Sequence, residues 1–309
     1  MKIPPLNDFK STFFDPVWLE VAASILHRHQ IPYASLNRAE YGENMVFFVD
    51  ARLILKIYTP VKNGFRRERS ALKFANGKTT LPIPSIVAEG EIEGYYYLIN
   101  TQLIGDQITR AEWLAMERGD QVALLTELAT GLRKLHTRDA AKFSFDWREF
   151  LQIQVLSIAD KHFGDGANPE WSESIPAYLK ENLPLVPRKT AEAFLHGDVH
   201  LGNLRLTQRN GRPTIGGLFD FADCIKGFHE YEFVAIGVLM IQGQGELQRE
   251  FFRAYGYSDD EMDETLRKRM MTLTLLYEYG SLKKYAERLR PDAVDYSLAE
   301  LERSIWNFV

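Results

Sequence analysis

Three polar residues in the second half of the chain, Asp198, Asn203 and Asp220, constrain its fold most strongly. Each lies next to a short apolar run that is typical of a β-strand. Residues 194–206 read FLHGDVHLGNLRL, which places Asp198 and Asn203 in a loop between two strand-like stretches. The run NLRLTQRNGRPTIGGLFDF then predicts a β-hairpin that returns the chain to Asp220, seventeen residues after the asparagine. The spacing therefore predicts that three oxygen-bearing side chains converge on one cleft.

The chemistry of these side chains indicates a site for Mg²⁺ and a nucleotide. Mg²⁺ is usually held by one or two protein oxygens together with phosphate oxygens and water, so Asn203 and Asp220 are the candidate metal ligands. Asp198 remains as a carboxylate that can accept a proton. Phosphoryl transfer needs both metal charge and a base that orients a hydroxyl group. An Asx turn could explain any one of the three residues, but the set favours the functional interpretation.

The first hundred residues carry the pattern of a small sheet with one internal helix. A first helix is predicted with Asp15 as its N-cap and Leu19 on its apolar stripe. Three antiparallel strands are predicted over residues 33–58, followed by a helix that stops at Gly77. Two further strands flank the turn at residues 93–94. The predicted order is therefore βββαββ.

The chain after residue 103 is predicted to be mainly helical, with the hairpin inserted among the helices. Apolar residues recur at helical spacing in four segments. These segments are 121–136, 147–163, 228–255 and 259–306. Together the two halves predict an α+β fold with an N-terminal lobe over residues 1–103 and a C-terminal lobe over residues 104–309.

The charge balance and the cysteine count limit the classes of partner and compartment. Residues 1–103 hold 12 of the 37 Lys and Arg and 10 of the 42 Asp and Glu, so the remainder is acidic by seven. An acidic surface repels phosphate backbones and attracts cations, so no nucleic acid partner is expected. Cys224 is the single cysteine, and the sequence has neither an export signal nor an apolar run of membrane-spanning length. We therefore expect a cytoplasmic protein with no membrane partner; no oligomeric state is predicted.

The motif HGDVHLGN, followed by FDF, resembles that of the aminoglycoside phosphotransferase and choline kinase family, whose members are related to protein kinases in fold. The stretch GENMVFFVDARLILKIY resembles the nucleotide loop and third strand of the family, and RRERSAL resembles its first internal helix. The resemblance extends over most of the chain. It implies a bilobal, protein-kinase-like fold with a nucleotide bound between the lobes.

The resemblance also implies a role for each residue that matches a family motif. Lys56 would contact the α and β phosphates and would be held by Glu68. Asp198 would be the catalytic base. Asn203 and Asp220 would bind Mg²⁺, which agrees with the roles inferred from their chemistry.

Further residues of the nucleotide site follow from the same resemblance. The run LINTQL resembles the hinge that binds the nucleobase, so Thr101 and Leu103 are expected there. Gly42 and Asn44 would lie in the loop over the phosphates. His200 would donate to the γ-phosphate, with a structural role as the alternative.

Two departures from protein kinases favour a small acceptor. Gly197 stands where those enzymes carry an arginine, and the chain after Asp220 is too short for a long activation segment. Asp223, Glu230 and Glu232 are the candidate substrate contacts, with a hydrated loop carboxylate as the alternative for Asp223. The runs DWREF and YEF resemble the hygromycin phosphotransferase branch, although the family usually has Asp where Glu232 stands.

The sequence therefore predicts a Mg²⁺-dependent kinase that transfers the γ-phosphoryl group of ATP or GTP to a hydroxyl group of a small, cationic acceptor. An aminoglycoside antibiotic is the leading acceptor, and antibiotic resistance would be the consequence. A choline-like amine alcohol, a sugar or another metabolite is the alternative within this class. The alternative from another class is a nucleotide-binding pseudokinase scaffold without turnover.

Overall fold

The structure, a computed structural model, describes residues 3–136, 140, 145–164, 166–187 and 193–309. Its N-terminal part contains a five-stranded antiparallel sheet with the strand order β1-β2-β3-β5-β4. The strands are β1 (Leu36–Arg38), β2 (Met45–Val49), β3 (Leu53–Ile57), β4 (Ile86–Ile92) and β5 (Tyr95–Thr101). Helix α1 (Val17–Arg28) precedes the sheet, and α2 (Gly64–Ala75) lies between β3 and β4. The βββαββ order is the one that the sequence predicts.

The two faces of this sheet have different surroundings, because successive side chains of a strand point to opposite sides. In β3, Leu53, Leu55 and Ile57 join the buried apolar cluster that α1 covers. Ile54 and Lys56 line the cleft on the opposite side. Each large side chain in the buried cluster contributes about 1.5–3 kcal/mol when it is removed from water. The sheet therefore presents Lys56 to the cleft from a firmly packed strand.

Helix α1 begins at Val17 rather than directly after Asp15. Pro16 occupies the N-cap position, and no side chain caps the helix. Leu19, which we expected on the buried stripe, is 39% exposed. The buried face is set instead by Trp18, whose ring packs edge-on against Tyr95 with the ring centroids 5.0 Å apart. The other buried residues of the helix are Val21, Ala22, Ile25 and Leu26.

The C-terminal part is mainly helical among the residues that the structure describes. Its helices are α3 (Arg110–Ala115), α4 (Arg118–Leu135), α5 (Trp147–Leu156), α6 (Ile158–His162), α7 (Trp171–Asn182), α8 (Phe233–Ala235), α9 (Gly245–Tyr255), α10 (Glu264–Leu276), α11 (Leu282–Leu289) and α12 (Leu298–Ile305). None of the helices described combines the length and the apolar character that crossing a membrane requires.

The long helical segments predicted after residue 146 are each divided into shorter helices. In segment 228–255, a π-helix over Ile236–Ile241 ends at Gln242 and Gly243, whose φ angles are 53° and 74°. Helix α10 ends where Tyr277 adopts an extended conformation, with φ −64° and ψ 131°. The periodicity of apolar residues identifies the buried faces, but it does not encode these local turns of the backbone.

Two short antiparallel pairs of strands lie between the helices and support the predicted loop. Strands β7 (Leu204–Arg209) and β8 (Arg212–Leu218) form the predicted hairpin. Its turn consists of Asn210 and Gly211, both with positive φ, which is the sequence signature of a tight hairpin. Strand β6 (Ala193–Leu195) precedes this hairpin in the sequence and strand β9 (Ile225–Gly227) follows it, and the two strands pair with each other. Strand β9 was not predicted, because three residues carry too little periodicity.

Candidate active site

Lys56 lies in the cleft and joins three separate elements of the fold. Its Nζ atom donates to Glu68 Oε2 over 2.7 Å and to Asp220 Oδ1 over 2.9 Å. The lysine comes from β3, the glutamate from α2, and the aspartate from the segment that follows β8. Tyr58 also donates to Glu68 Oε2, over 2.6 Å. The structure thus brings together three residues that were predicted to share the site.

The ion pairs keep these groups charged although the site is largely buried. Burial alone would lower the pKa of Lys56, but attraction by Glu68 and Asp220 outweighs it and raises the pKa. Burial alone would raise the pKa of Asp220, but attraction by Lys56 outweighs it and holds the pKa below its ordinary value. The cleft therefore contains a permanent ammonium group beside an ionised carboxylate at neutral pH.

The loop over residues 196–203, which we call the catalytic loop, carries Asp198 at its centre. Gly197 has a φ of 88°, and a Cβ atom at this position would lie 2.4 Å from the backbone oxygen of Asp223. Both observations favour glycine, because other residues rarely adopt this conformation and the space is occupied. The glycine that replaces the arginine of protein kinases is therefore required by the close approach of two loops.

The Asp198 carboxylate accepts hydrogen bonds at both of its oxygens. Oδ2 accepts from His200 Nε2 over 3.2 Å and from Asn203 Nδ2 over 3.1 Å, and Oδ1 accepts from Tyr277 over 3.1 Å. His200 Nδ1 accepts from the backbone N–H of Gly202, so in the neutral ring Nε2 carries the proton that Asp198 receives. Both ring nitrogens of His200 thus make hydrogen bonds inside the loop, which favours the structural role for this residue.

These contacts keep Asp198 ionised. Burial alone would raise the pKa of Asp198, but the hydrogen bond from His200, and the positive charge of that ring when it is protonated, hold the pKa below its ordinary value. The Asp198 side chain is 22% exposed, so it remains accessible to a ligand. A partly exposed and ionised carboxylate can accept a proton from a bound hydroxyl group.

The hairpin places Asn203 beside Asp220. The backbone N–H of Phe219 donates to Asn203 O over 3.0 Å. Asn203 uses Nδ2 to bind Asp198, so its Oδ1 makes no hydrogen bond to the described residues, and Oδ2 of Asp220 makes none either. No group of three or more His, Cys, Asp or Glu in the described ranges could hold a metal. Two available oxygens without a complete protein cage fit Mg²⁺ with phosphate and water as its other ligands.

Glu230 and Glu232, two of the candidate substrate contacts, lie buried behind the catalytic loop. Each is only 1% exposed. Glu232 accepts from the backbone N–H groups of His196 and Gly197 over 2.6 and 2.9 Å. Glu230 accepts two hydrogen bonds from Arg269, over 2.5 and 2.6 Å. This geometry corrects the expectation that they contact the acceptor, and it gives Glu232 a place in holding the loop.

The cleft beneath the sheet has a volume of about 280 Å³, close to the lower end of the range for ligand pockets. Thr101 and Leu103, the predicted hinge residues, line it at the end of β5. Asn100 and Gln102 line it as well, and their side-chain oxygens are buried with no hydrogen-bond partner among the described residues. A buried acceptor without a donor costs free energy, so these oxygens mark a place for the N–H groups of a ligand.

An adjoining part of the cleft, of about 420 Å³, is covered by the loop that contains Gly42 and Asn44. Gly42 has a φ of 143°, and Asn44 Oδ1 accepts from the backbone N–H of Thr59 over 3.0 Å. Glu43 forms an ion pair of 2.8 Å with Lys62, which ties the loop to the chain before α2. Both parts of the cleft contain the ion-paired lysine, so the loop lies over the space in front of it.

The outer end of the cleft is acidic and partly aromatic. Asp223 lines the cleft, and Tyr279 is 52% exposed nearby. Partial desolvation, followed by repulsion from Asp223, raises the pKa of Glu278. Arg67, Lys161 and Lys62 act on Glu278 in the opposite direction and do not outweigh these two effects. Glu278 and Tyr279 escaped prediction because they follow a helix some eighty residues after the catalytic loop.

The sequence matches one family model over residues 38–267, described as the phosphotransferase enzyme family (APH). The chain belongs to this family. The matched region includes the sheet, the cleft and the catalytic loop, and the predicted resemblance is confirmed. The prediction that the protein is a phosphotransferase acting on hydroxyl groups is therefore also confirmed. The sequence has no match among curated proteins.

Solved structures with similar folds are aminoglycoside phosphotransferases. The GDP complex of aminoglycoside 2′-phosphotransferase-IIIa is 15% identical, with a TM-score of 0.68 over 94% of this chain and 98% of that one. The ternary complex of APH(2″)-IIa with streptomycin and ATP is 20% identical, with a TM-score of 0.59 over 90% and 98%. Aminoglycoside phosphotransferase APH(4)-Ia is 19% identical, with a TM-score of 0.61 over 93% and 98%. This likeness confirms the predicted bilobal, kinase-like fold.

Proposed function

We propose that this phosphotransferase uses Mg²⁺ to transfer the γ-phosphoryl group of ATP or GTP to a hydroxyl group of a small, cationic acceptor. The observation that carries the proposal is the ammonium group of Lys56, which is held in the cleft between Glu68 and Asp220, next to the loop that carries Asp198. An enzyme that transfers phosphoryl groups works mainly by positioning and by electrostatic stabilisation, and this cleft offers both.

The nucleotide lies under the sheet in this proposal. Its base is next to Thr101 and Leu103, where the buried oxygens of Asn100 and Gln102 accept from the N–H groups of the purine. We propose that the two lobes meet at this point, with the boundary between residues 103 and 104. Lys56 then faces the phosphates, and the loop at Gly42 and Asn44 covers them.

The metal site proposed here consists of Asn203 Oδ1 and Asp220, completed by phosphate oxygens and water. Bound Mg²⁺ supplies positive charge that offsets the charge of the transferring phosphoryl group. Asn203 is suited to this because its amide nitrogen is fixed on Asp198, which leaves its oxygen available as a ligand. Lys56 holds the Asp220 carboxylate in place.

Asp198 is the catalytic base of the proposed reaction. The acceptor hydroxyl oxygen forms a bond to the γ-phosphorus, the bond from that phosphorus to the β–γ bridging oxygen breaks, and the nucleoside diphosphate leaves. The hydroxyl proton passes to the Asp198 carboxylate. Hydrogen bonds from His200 and Asn203 orient the carboxylate, so His200 acts on the base and not on a phosphate.

The acidic outer end of the cleft supports a cationic acceptor. Asp223 and Glu278 repel each other, so an ammonium group between them would lower the energy of both carboxylates. The relatives with bound kanamycin and streptomycin are aminoglycoside phosphotransferases, and we propose an aminoglycoside as the leading acceptor here too. A choline-like amine alcohol shares the required charge, whereas a sugar does not. We place the protein in the cytoplasm, where nucleoside triphosphates are available, and expect it to confer resistance if its acceptor is an antibiotic.

The proposal is tested by the release of ADP or GDP in the presence of kanamycin, gentamicin, streptomycin, choline or glucose. Asp198→Asn should lower kcat by about 10² or more with its preferred acceptor. Asp259→Asn removes a carboxylate that is 68% exposed and lies outside the cleft lining, so it should leave kcat unchanged. Unchanged turnover in Asp198→Asn, or nucleotide binding with no turnover on any acceptor, would contradict the proposal.

The charge of the acceptor is tested separately. Asp223→Asn and Glu278→Gln should each raise KM for a cationic acceptor several-fold and leave KM for the nucleotide within about twofold. KM for that acceptor should also rise with salt concentration, because screening weakens attraction between partly exposed charges. A preference for glucose, with no dependence on salt, would favour the sugar alternative.

A further inference from the structure

We propose that Tyr277 is a positioning residue that fixes the Asp198 carboxylate against the helical lobe; this role rests on the function proposed for Asp198. The single proton of the Tyr277 hydroxyl group is shared between Gly197 O, at 2.9 Å, and Asp198 Oδ1, at 3.1 Å. The hydroxyl group therefore contacts both the backbone of the catalytic loop and the side chain of the proposed base.

Tyr277 differs from the other partners of the Asp198 carboxylate in its origin. His200 and Asn203 lie within five residues of Asp198 and move with the same loop. Tyr277 is 79 residues away in sequence and follows α10. Among the described residues, it is the one side chain that links this carboxylate to the helical lobe. Glu232 also holds the loop from outside, but its hydrogen bonds to the loop are to backbone N–H groups.

The position of Tyr277 is itself well fixed. The residue is 2% exposed, and its ring packs against Tyr231 with the centroids 5.3 Å apart. Its backbone oxygen accepts from Lys161 Nζ over 3.1 Å, and the same ammonium group reaches the backbone oxygen of Leu275 over 3.3 Å. The next backbone N–H, that of Glu278, donates to the Tyr231 hydroxyl over 2.9 Å. The hydroxyl group of Tyr277 therefore reaches the base from a rigid support.

The hydroxyl group acts as a donor over the working range of pH. Burial, followed by the negative charge of Asp198, raises the pKa of Tyr277 well above its ordinary value. With its proton retained, Tyr277 binds one lone pair of Oδ1 and leaves the other available to a bound hydroxyl group. A fixed carboxylate can meet the acceptor hydroxyl at the angle that proton transfer needs, and small misplacements of such a group are costly.

The test replaces Tyr277 with phenylalanine, which keeps the ring and removes the donor. ADP release from Mg-ATP is measured with water and with kanamycin as acceptors, so the assay does not depend on knowing the natural acceptor. We expect Tyr277→Phe to lower kcat about 5- to 30-fold and to leave KM for ATP within about twofold, because positioning acts on the reaction step. Wild-type kcat in this variant would overturn the proposal.

The matched control is Tyr178→Phe. The Tyr178 hydroxyl group also donates to a backbone oxygen and a carboxylate, those of Lys268 and Glu302, over 3.2 and 2.7 Å. Both variants should lower Tm by a similar amount, about 2–8 °C, but only Tyr277→Phe should lower kcat. An equal loss of kcat in the two variants would show that Tyr277 matters only for stability, and would overturn the positioning role.

A double-mutant cycle with Asp198→Asn separates this proposal from the one on which it rests. If Tyr277 acts through Asp198, Tyr277→Phe should change kcat less than about twofold once Asp198→Asn is present. Independent, multiplying effects would overturn the positioning role and leave the base assignment intact, whereas unchanged turnover in Asp198→Asn alone would refute the proposed function. Lys161→Met, which leaves the hydroxyl in place but releases the backbone of Tyr277, should lower kcat about 2- to 5-fold as a second measure.

Discussion

Replacement of Lys56 by methionine should destabilise the protein far more than replacement of an exposed, ion-paired lysine. The side chains of Lys56 and Glu68 are 11% and 5% exposed, so the variant leaves a buried carboxylate without its cation. Removal of one partner of a buried ion pair costs about 3–5 kcal/mol. The hydroxyl group of Tyr58 still donates to Glu68, which places the expected loss near the lower limit, about 3 kcal/mol.

Thermal and urea unfolding measure this effect. A loss of about 3 kcal/mol corresponds to a fall in Tm of about 5 °C for a chain of this length, because the entropy of unfolding grows with the number of residues. Lys73→Met is the matched control, because Lys73 pairs with Glu89 over 3.0 Å at side-chain exposures of 49% and 30%. An exposed pair of this kind contributes about 0–1 kcal/mol. The two lysines thus differ in burial more than in the length of their ion pairs.

The source of the loss can be checked by a second substitution. In the Lys56→Met background, Glu68→Gln removes the unpaired buried charge and should restore about 2 kcal/mol of the free energy of unfolding. The reasoning is refuted if Lys56→Met and Lys73→Met have equal effects, or if Glu68→Gln destabilises the Lys56→Met variant further.

Three other results are expected. Glu232→Gln should lower kcat about tenfold and the free energy of unfolding by about 2 kcal/mol, because the loop at His196 and Gly197 loses charge-assisted hydrogen bonds; activity and urea unfolding at wild-type levels would contradict this. Removal of divalent cations with EDTA should abolish both turnover and the rise in Tm caused by nucleotide, and added Mg²⁺ should restore both. The lowered pKa of Asp198 keeps the base ionised, so kcat should not fall between about pH 7 and pH 5. The stability that this carboxylate contributes to the folded protein is present above its ordinary pKa near 4. That stability is lost as the pH falls through the lower pKa of the folded state.

The parts of the fold that were predicted correctly are those that short stretches of sequence encode. Runs of β-branched and aromatic residues identified the strands around Lys56, and the run that contains Asn210 and Gly211 identified the hairpin. The spacing from Asp198 to Asn203, and from the hairpin to Asp220, was enough to place these residues on neighbouring segments. Local signals therefore fixed the centre of the candidate site.

The remaining features depend on packing between distant segments. Glu232 looked like a substrate contact because its sequence neighbours resemble a cleft motif, but its carboxylate is needed beneath the catalytic loop. Tyr277 and Glu278 approach the loop only because α10 ends there, and the unpaired oxygen of Asn100 depends on which face of β5 meets the cleft. The pattern of apolar residues within one segment cannot predict these contacts, because each contact forms between two segments that are distant in the sequence.

The most direct measurement of the central claim is a crystal structure of the protein with Mg²⁺ and a non-hydrolysable ATP analogue. The account predicts a metal ion about 2.1 Å from Asn203 Oδ1 and from Asp220, with Lys56 near the phosphates and the Asp198 carboxylate facing the γ-phosphate. A nucleotide bound elsewhere, or a metal ion that contacts neither Asn203 nor Asp220, would contradict it.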